Sequence, residues 1–158
     1  GDIAAALPPF VGRVGLFMDP SVDEVESVLK AAPLNWLQFH GSESEGFCSQ
    51  FGLPWIKAIA MGGSKVQDSA AYPGADALLL DSHVAGEQGG SGETFDWSSV
   101  PELKQPWILA GGLNPGNVAA AVKALGPAAV DVSSGVEVRP GIKDVNLMKE
   151  FMKAVNNG

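Results

Sequence analysis

The chain has 158 residues, 46% hydrophobic and 18% charged, which is the make-up of a globular domain able to bury a real core. Its net charge of -8 argues against a nucleic-acid partner, because binding a phosphate backbone needs a basic face, and reads most simply as solubility. No apolar run approaches the ~20 residues of a membrane span and no basic, then apolar, leader opens the chain, so a cytoplasmic location without membrane partners is expected.

Short apolar runs alternate with longer amphipathic stretches. Residues 1–9 read as the tail of a helix with no strand before it. Val14-Gly15-Leu16-Phe17-Met18 is a buried strand, and Asp19-Pro20-Ser21 offers a cap for a helix over 22–31, with apolar residues at Val22, Val25, Val28 and Leu29. Trp36-Leu37-Gln38-Phe39 is a second strand, followed by a helix over 43–51. That helix carries the only cysteine, Cys48, which excludes an intramolecular disulfide and reads as a structural thiol with no neighbouring cation to activate it. A third strand spans 55–59, with a weak helix over 64–71. A fourth spans 77–80 and ends in Asp81. A fifth, 107–110, leads into a helix over 114–125. A sixth, 128–132, precedes a closing helix over 144–155.

Strands alternating with helices imply parallel βα units with right-handed crossovers, and near-continuous apolar strands imply a sheet covered on both faces. Two α/β architectures fit: an open doubly wound sheet, or part of a closed barrel. The first would place a Gly-rich phosphate turn after its first strand. Here the glycines follow the last two strands, where a (βα)8 TIM barrel keeps its phosphate site. A whole barrel takes about 200 residues or more, so the expectation is an incomplete barrel of six parallel strands, residues 1–158 forming one domain.

Four constellations carry the chemistry. In Ala110-Gly111-Gly112-Leu113-Asn114-Pro115, two glycines end a strand and a helix begins, with Asn114 as cap and Pro115 in the first turn. Such a helix start offers free N–H groups to an anion. In Asp131-Val132-Ser133-Ser134-Gly135, the next strand ends in small donors; side by side, the two turns read as one phosphate pocket using Gly111, Gly112, Ser134 and Gly135. Asp81 sits at the carboxyl end of a strand, where partial burial would raise its pKa and suit general-acid work. His40, after Phe39, is a candidate to contact substrate or to orient a loop. The loop Gly89-Gly90-Ser91-Gly92 is a candidate lid. Lys57, inside an apolar strand, reads as paired with a carboxylate; His83 reads as solvent-facing; the four tryptophans read as packing.

Leu37-Gln38-Phe39-His40-Gly41 with Glu43, Leu80-Asp81, Gly89-Gly90-Ser91-Gly92 with Phe95-Asp96-Trp97, Leu109-Ala110-Gly111-Gly112-Leu113, and Asp131-Val132-Ser133-Ser134-Gly135-Val136-Glu137 with Gly141-Ile142-Lys143-Asp144 together resemble phosphoribosylanthranilate isomerase, in order and spacing, over essentially the whole chain. The resemblance implies an Amadori rearrangement of N-(5-phosphoribosyl)anthranilate in tryptophan biosynthesis, a small sugar-phosphate substrate, and neither metal nor organic cofactor. It places the general acid on Asp81 and backbone phosphate donors at Gly112, Ser134 and Gly135. The family also has a first strand carrying Lys-x-Cys-Gly, whose cysteine is the base, and a Ser-Pro-Arg loop; these motifs do not occur in the 158 residues, and Cys48 matches neither. The chain is therefore expected to correspond to the family from the end of its second helix onward, to be inactive alone, and to self-associate through exposed strand edges. A phosphate-binding fragment that needs complementation is the alternative. A related barrel enzyme is another, although the paired histidine ligands of the metal-dependent epimerases are not matched by His40 and His83.

Overall fold

The computed structural model describes residues 6–62, 68–84 and 96–158. Six parallel strands, β1 (Val14–Phe17), β2 (Trp36–Phe39), β3 (Trp55–Gly62), β4 (Ala77–Val84), β5 (Trp107–Leu109) and β6 (Ala129–Val130), form one sheet in sequence order. Strand order that follows chain order, with no crossover past a neighbour, is the pattern of a barrel wall rather than of a doubly wound sheet.

The helices lie on one side. Helix α1 (Val22–Ala31) starts at a capping box in which Ser21 accepts from the Glu24 N–H and Glu24 reaches back to the Ser21 N–H, as the Asp-Pro-Ser start anticipates. Helix α2 is shorter than expected, Glu45–Cys48, continued by a 3-10 turn at Ser49–Phe51 and stopped by Gly52 at φ 71. It starts late because Ser44 is its cap, extended at φ -73 and ψ 158 and accepting from the Phe47 N–H; ahead of it the Glu43 carboxylate accepts the N–H groups of Asp19 and Gly41. Helix α3 (Val118–Leu125) also starts later than the sequence indicates, after a turn in which the Asn114 side chain accepts from the Gly116 N–H. Helix α4 (Val145–Val155) is capped by Asp144. Of the weak helix expected over 64–71, residues 63–67 lie outside the described residues and Ser69–Ala71 form a 3-10 turn.

Strand parity sorts the side chains. The helix-facing side buries Phe17, Leu37, Phe39, Ile59, Leu78 and Leu80 against Val25, Cys48 and Tyr72, with a second cluster of Leu109, Val118, Ala121, Val136 and Phe151. The opposite, concave side carries a smaller layer of Ile56, Ala58, Leu79 and Ala110, flanked by Trp36, Ala77 and Ile108. At the open side of this face β1 exposes Val14 and Leu16, the latter by 63%. All four tryptophans pack in these clusters.

Two features differ from the sequence reading. The β4 strand does not end at Leu80 but runs through Asp81 to Val84, because β3 extends alongside it, pairing Ala60 with Asp81 and, past a bulge, Gly62 with Val84. A hairpin, β7 (Glu137–Arg139) with β8 (Ile142–Lys143), follows β6, turning at Pro140-Gly141 with Gly141 at φ 80. Pro-Gly between Val138 and Ile142 was a legible turn signal.

Candidate active site

Because all six strands run the same way, everything that follows a strand end falls on one rim. His40 follows β2, Gly111 and Gly112 follow β5, Asp131 follows β6, and Asp81 stands on the part of β4 that runs on beside β3 past the end of its pairing with β5. Their parity matches that of the concave layer, so His40, Asp81 and Asp131 project over its top. Asp81, Gly111, Gly112, Asp131, Ser133, Ser134 and Gly135 line a single pocket of about 40 Å³. Asp81 and both glycine/serine turns, which the sequence reading brings together, stand around one space here.

The two turns touch closely enough to require glycine. Gly111 has φ 81, and a Cβ there would strike the Ser82 backbone; Gly112 has φ 64. A Cβ on Gly135 would collide with the Leu113 carbonyl and stand 3.1 Å from Asn114 Cα. Asn117 braces the first turn by accepting from the Asn114 N–H at 2.8 Å and donating to the Gly112 carbonyl at 2.9 Å. Lys143 braces the second, donating to the Ser133 carbonyl at 2.9 Å, to Ser133 Oγ at 3.1 Å and to Glu137 at 2.7 Å. That hydrogen bond holds the Glu137 carboxyl below the usual carboxylate range. Lys143 thus sets one positive charge beside an otherwise acidic rim.

Asp81 is nearly buried, its side chain 11% exposed, and its Oδ2 lies 3.2 Å from His40 Nε2. The other imidazole nitrogen faces Gln38: Gln38 Nε2 to His40 Nδ1 is 3.2 Å. With the Gln38 amide donating, His40 carries its proton on Nε2 and donates to Asp81. The His40 backbone is tied down as well, its N–H donating to the Phe17 carbonyl at 2.8 Å.

Asp131 is the residue the sequence reading passed over, quoted in a motif but given no role. Crowding by the pocket wall raises its pKa, the Asp81 carboxylate adds to the effect, and His40 and Lys143 oppose it, although part of its surface stays open to solvent. The signal was available: a carboxylate after an apolar strand, the same pattern that singled out Asp81.

Lys57 stands on the helix-facing side, away from the pocket. It is fully buried and its Nζ lies 3.3 Å from the Glu43 carboxylate, which is the structural pairing the sequence favours. Cys48 is also fully buried on that side, and desolvation with the nearby Glu43 charge pushes its pKa up to about 12. The candidate lid residues Gly89, Gly90, Ser91 and Gly92 and the side chain of His83 lie outside the described residues.

The comparisons with known proteins agree with one another. Residues 5–154 match the family described as N-(5'phosphoribosyl)anthranilate (PRA) isomerase. The chain is 51% identical over 156 residues to the N-(5'-phosphoribosyl)anthranilate isomerase of Nitrosospira multiformis, covering 97% of this chain and 75% of that one. It is likewise 51% identical to the Pseudomonas fluorescens protein of that name, over 98% of this chain and 75% of that one. Its backbone superposes on crystalline phosphoribosyl anthranilate isomerase from Thermotoga maritima with a TM-score of 0.83 at 34% identity, covering 99% of this chain and 78% of that chain. A related crystal structure, at TM-score 0.78, holds reduced 1-(o-carboxyphenylamino)-1-deoxyribulose 5-phosphate. The chain therefore spans about three quarters of its relatives' length and belongs to the N-(5'-phosphoribosyl)anthranilate isomerase family of (βα)8-barrel enzymes.

Proposed function

We propose that this pocket isomerises the sugar of N-(5'-phosphoribosyl)anthranilate, with Asp81 as general acid and the turns at Gly111-Gly112 and Ser134-Gly135 holding the phosphate. The observation that carries this reading is the shared pocket: Asp81, a carboxylate buried on the concave face, opens into the same space as both turns. Asp81 gives its proton to the furanose ring oxygen as the C1–O bond breaks, leaving a protonated Schiff base between C1 and the anthranilate nitrogen. A base then takes the C2 proton, and the resulting enolamine becomes the 1-amino-1-deoxyketose. No atom is gained or lost. His40, donating to Asp81, orients the carboxyl. The phosphate takes no part in bond making and serves to fix C1 above Asp81.

These 158 residues supply the acid and the anion grip but no thiol base, since Cys48 is buried on the far side of the sheet and stays protonated. The test is turnover of the chain with and without a peptide carrying the family's Lys-x-Cys-Gly strand. The expected result is negligible turnover alone, rescue by the peptide, and a loss of ~10²–10⁴ in the rescued rate for Asp81→Asn, the range for a general acid. Unchanged rate in Asp81→Asn would contradict the role of the acid. Full turnover by the chain alone would contradict the missing base. Self-association belongs to the same reading: among the described residues β1 pairs only with β2, so sedimentation should show dimers as concentration rises.

A further inference from the structure

We propose that the buried Lys57–Glu43 pair is a positioning element for the acid, acting through His40 from the opposite face of the sheet. This inference rests on the reading of Asp81 as the acid. Lys57 Nζ donates to the Phe39 carbonyl at 3.2 Å and to the Gly41 carbonyl at 2.6 Å, the two peptide carbonyls that bracket His40. Glu43 closes the loop from the other side, accepting from the Gly41 N–H at 3.0 Å and from the Asp19 N–H at 2.8 Å. Asp19, held at φ 49, accepts in turn from the Ser42 N–H and hydroxyl. The pair therefore fixes the backbone immediately before and after His40 and locks the β1 and β2 loops together.

A lone hydrophobic pair would fill the same volume, but it could not make these hydrogen bonds to the Phe39 and Gly41 carbonyls. The geometry at the other end shows what the clamp achieves. His40 Nε2 meets Asp81 at 3.2 Å, a contact between separate strand ends that a small shift of the His40 backbone breaks. Lys57 and Glu43 touch no part of the pocket; they set where His40 stands, and His40 sets how Asp81 is presented.

The test reads His40 directly. Long-range nitrogen–proton spectra at about pH 8.5, above the usual imidazole range, report which ring nitrogen carries the proton and how fast it exchanges. The probe variant is Lys57→Met/Glu43→Gln, which removes both charges at nearly constant volume; Val118→Ala, in the other buried cluster, is the control for lost stability alone. The parent and Val118→Ala are expected to hold the Nε2–H tautomer. The double variant is expected to mix tautomers and to exchange that proton about tenfold faster, the weight of one hydrogen bond. If the double variant does not fold, Glu43→Gln alone serves, because it breaks the ion pair with Lys57 and puts a neutral group in place of the carboxylate that accepts from the Gly41 and Asp19 N–H groups; the expected change has the same direction. A variant spectrum identical to the parent, or equal loss in Val118→Ala, overturns the proposal. Failure of the acid reading shows separately, as unchanged rescued turnover in Asp81→Asn.

Discussion

Gly135→Ala isolates the meeting of the two turns. The added Cβ would run into the Leu113 carbonyl, with the carbonyl carbon at 2.9 Å and Asn114 Cα at 3.1 Å, all backbone. No side chain can swing away, so the turns must separate by a few tenths of an ångström or more. Inserting a methyl group into such packing costs ~1–3 kcal/mol. If phosphate must pull the turns together again, that cost appears in binding, and the dissociation constant for inorganic phosphate rises ~5- to 150-fold at 1.4 kcal/mol per decade. Phosphate titration followed by amide shifts of residues 111–116 and 133–136 measures it. Gly46→Ala is the control: it sits in α2 with open space around it, and should bind phosphate as the parent does. A folded Gly135→Ala protein with parental phosphate affinity would refute the shared cradle.

Lys57→Met strands the Glu43 carboxylate, 2% exposed, and should cost ~3–5 kcal/mol in urea unfolding, whereas Lys57→Met/Glu43→Gln should cost distinctly less; equal losses would count against a paired origin. The Asp131 carboxyl is held above its unfolded pKa, so it weakens the fold at neutral pH and this penalty fades as pH falls through the folded value towards 3.8. Asp131→Asn should therefore raise the unfolding free energy at pH 7, by less than ~1 kcal/mol given its open surface, and lose that advantage near pH 3.8, as urea unfolding at the two pH values would show. Cys48, held protonated up to about 12, should resist thiol reagents at pH 8 until unfolding exposes it. Its raised pKa favours the fold fully below pH 9 and progressively less as pH climbs towards 12, so unfolding should ease on the alkaline side.

The strands were legible as unbroken apolar runs, and β1 to β5 stand where Val14, Trp36, Trp55, Ala77 and Trp107 open such runs; β3 is buried on both faces, whereas β1, expected to be buried, leaves Val14 and Leu16 exposed on one. Only Ala129 and Val130 of the sixth run are strand, since the edge has a single described partner and little to hold more residues. The site was legible where its chemistry is local: a carboxylate after Leu80, and glycines after Ala110 and Ser134. What stayed hidden depends on contacts across the sheet. Lys57 and Glu43 lie fourteen residues apart in sequence, and only the fold shows that they meet and that Lys57 grasps the carbonyls beside His40. Asp131 escaped for a related reason: its perturbation comes first from burial by the pocket around it and then from Asp81, two strands away.

The most direct measurement is a crystal structure of this chain with reduced 1-(o-carboxyphenylamino)-1-deoxyribulose 5-phosphate bound. The account places the phosphate between the Gly112 and Gly135 amides and the sugar chain within hydrogen-bond reach of Asp81. A phosphate seated elsewhere, or a ligand whose sugar points away from Asp81, would contradict it.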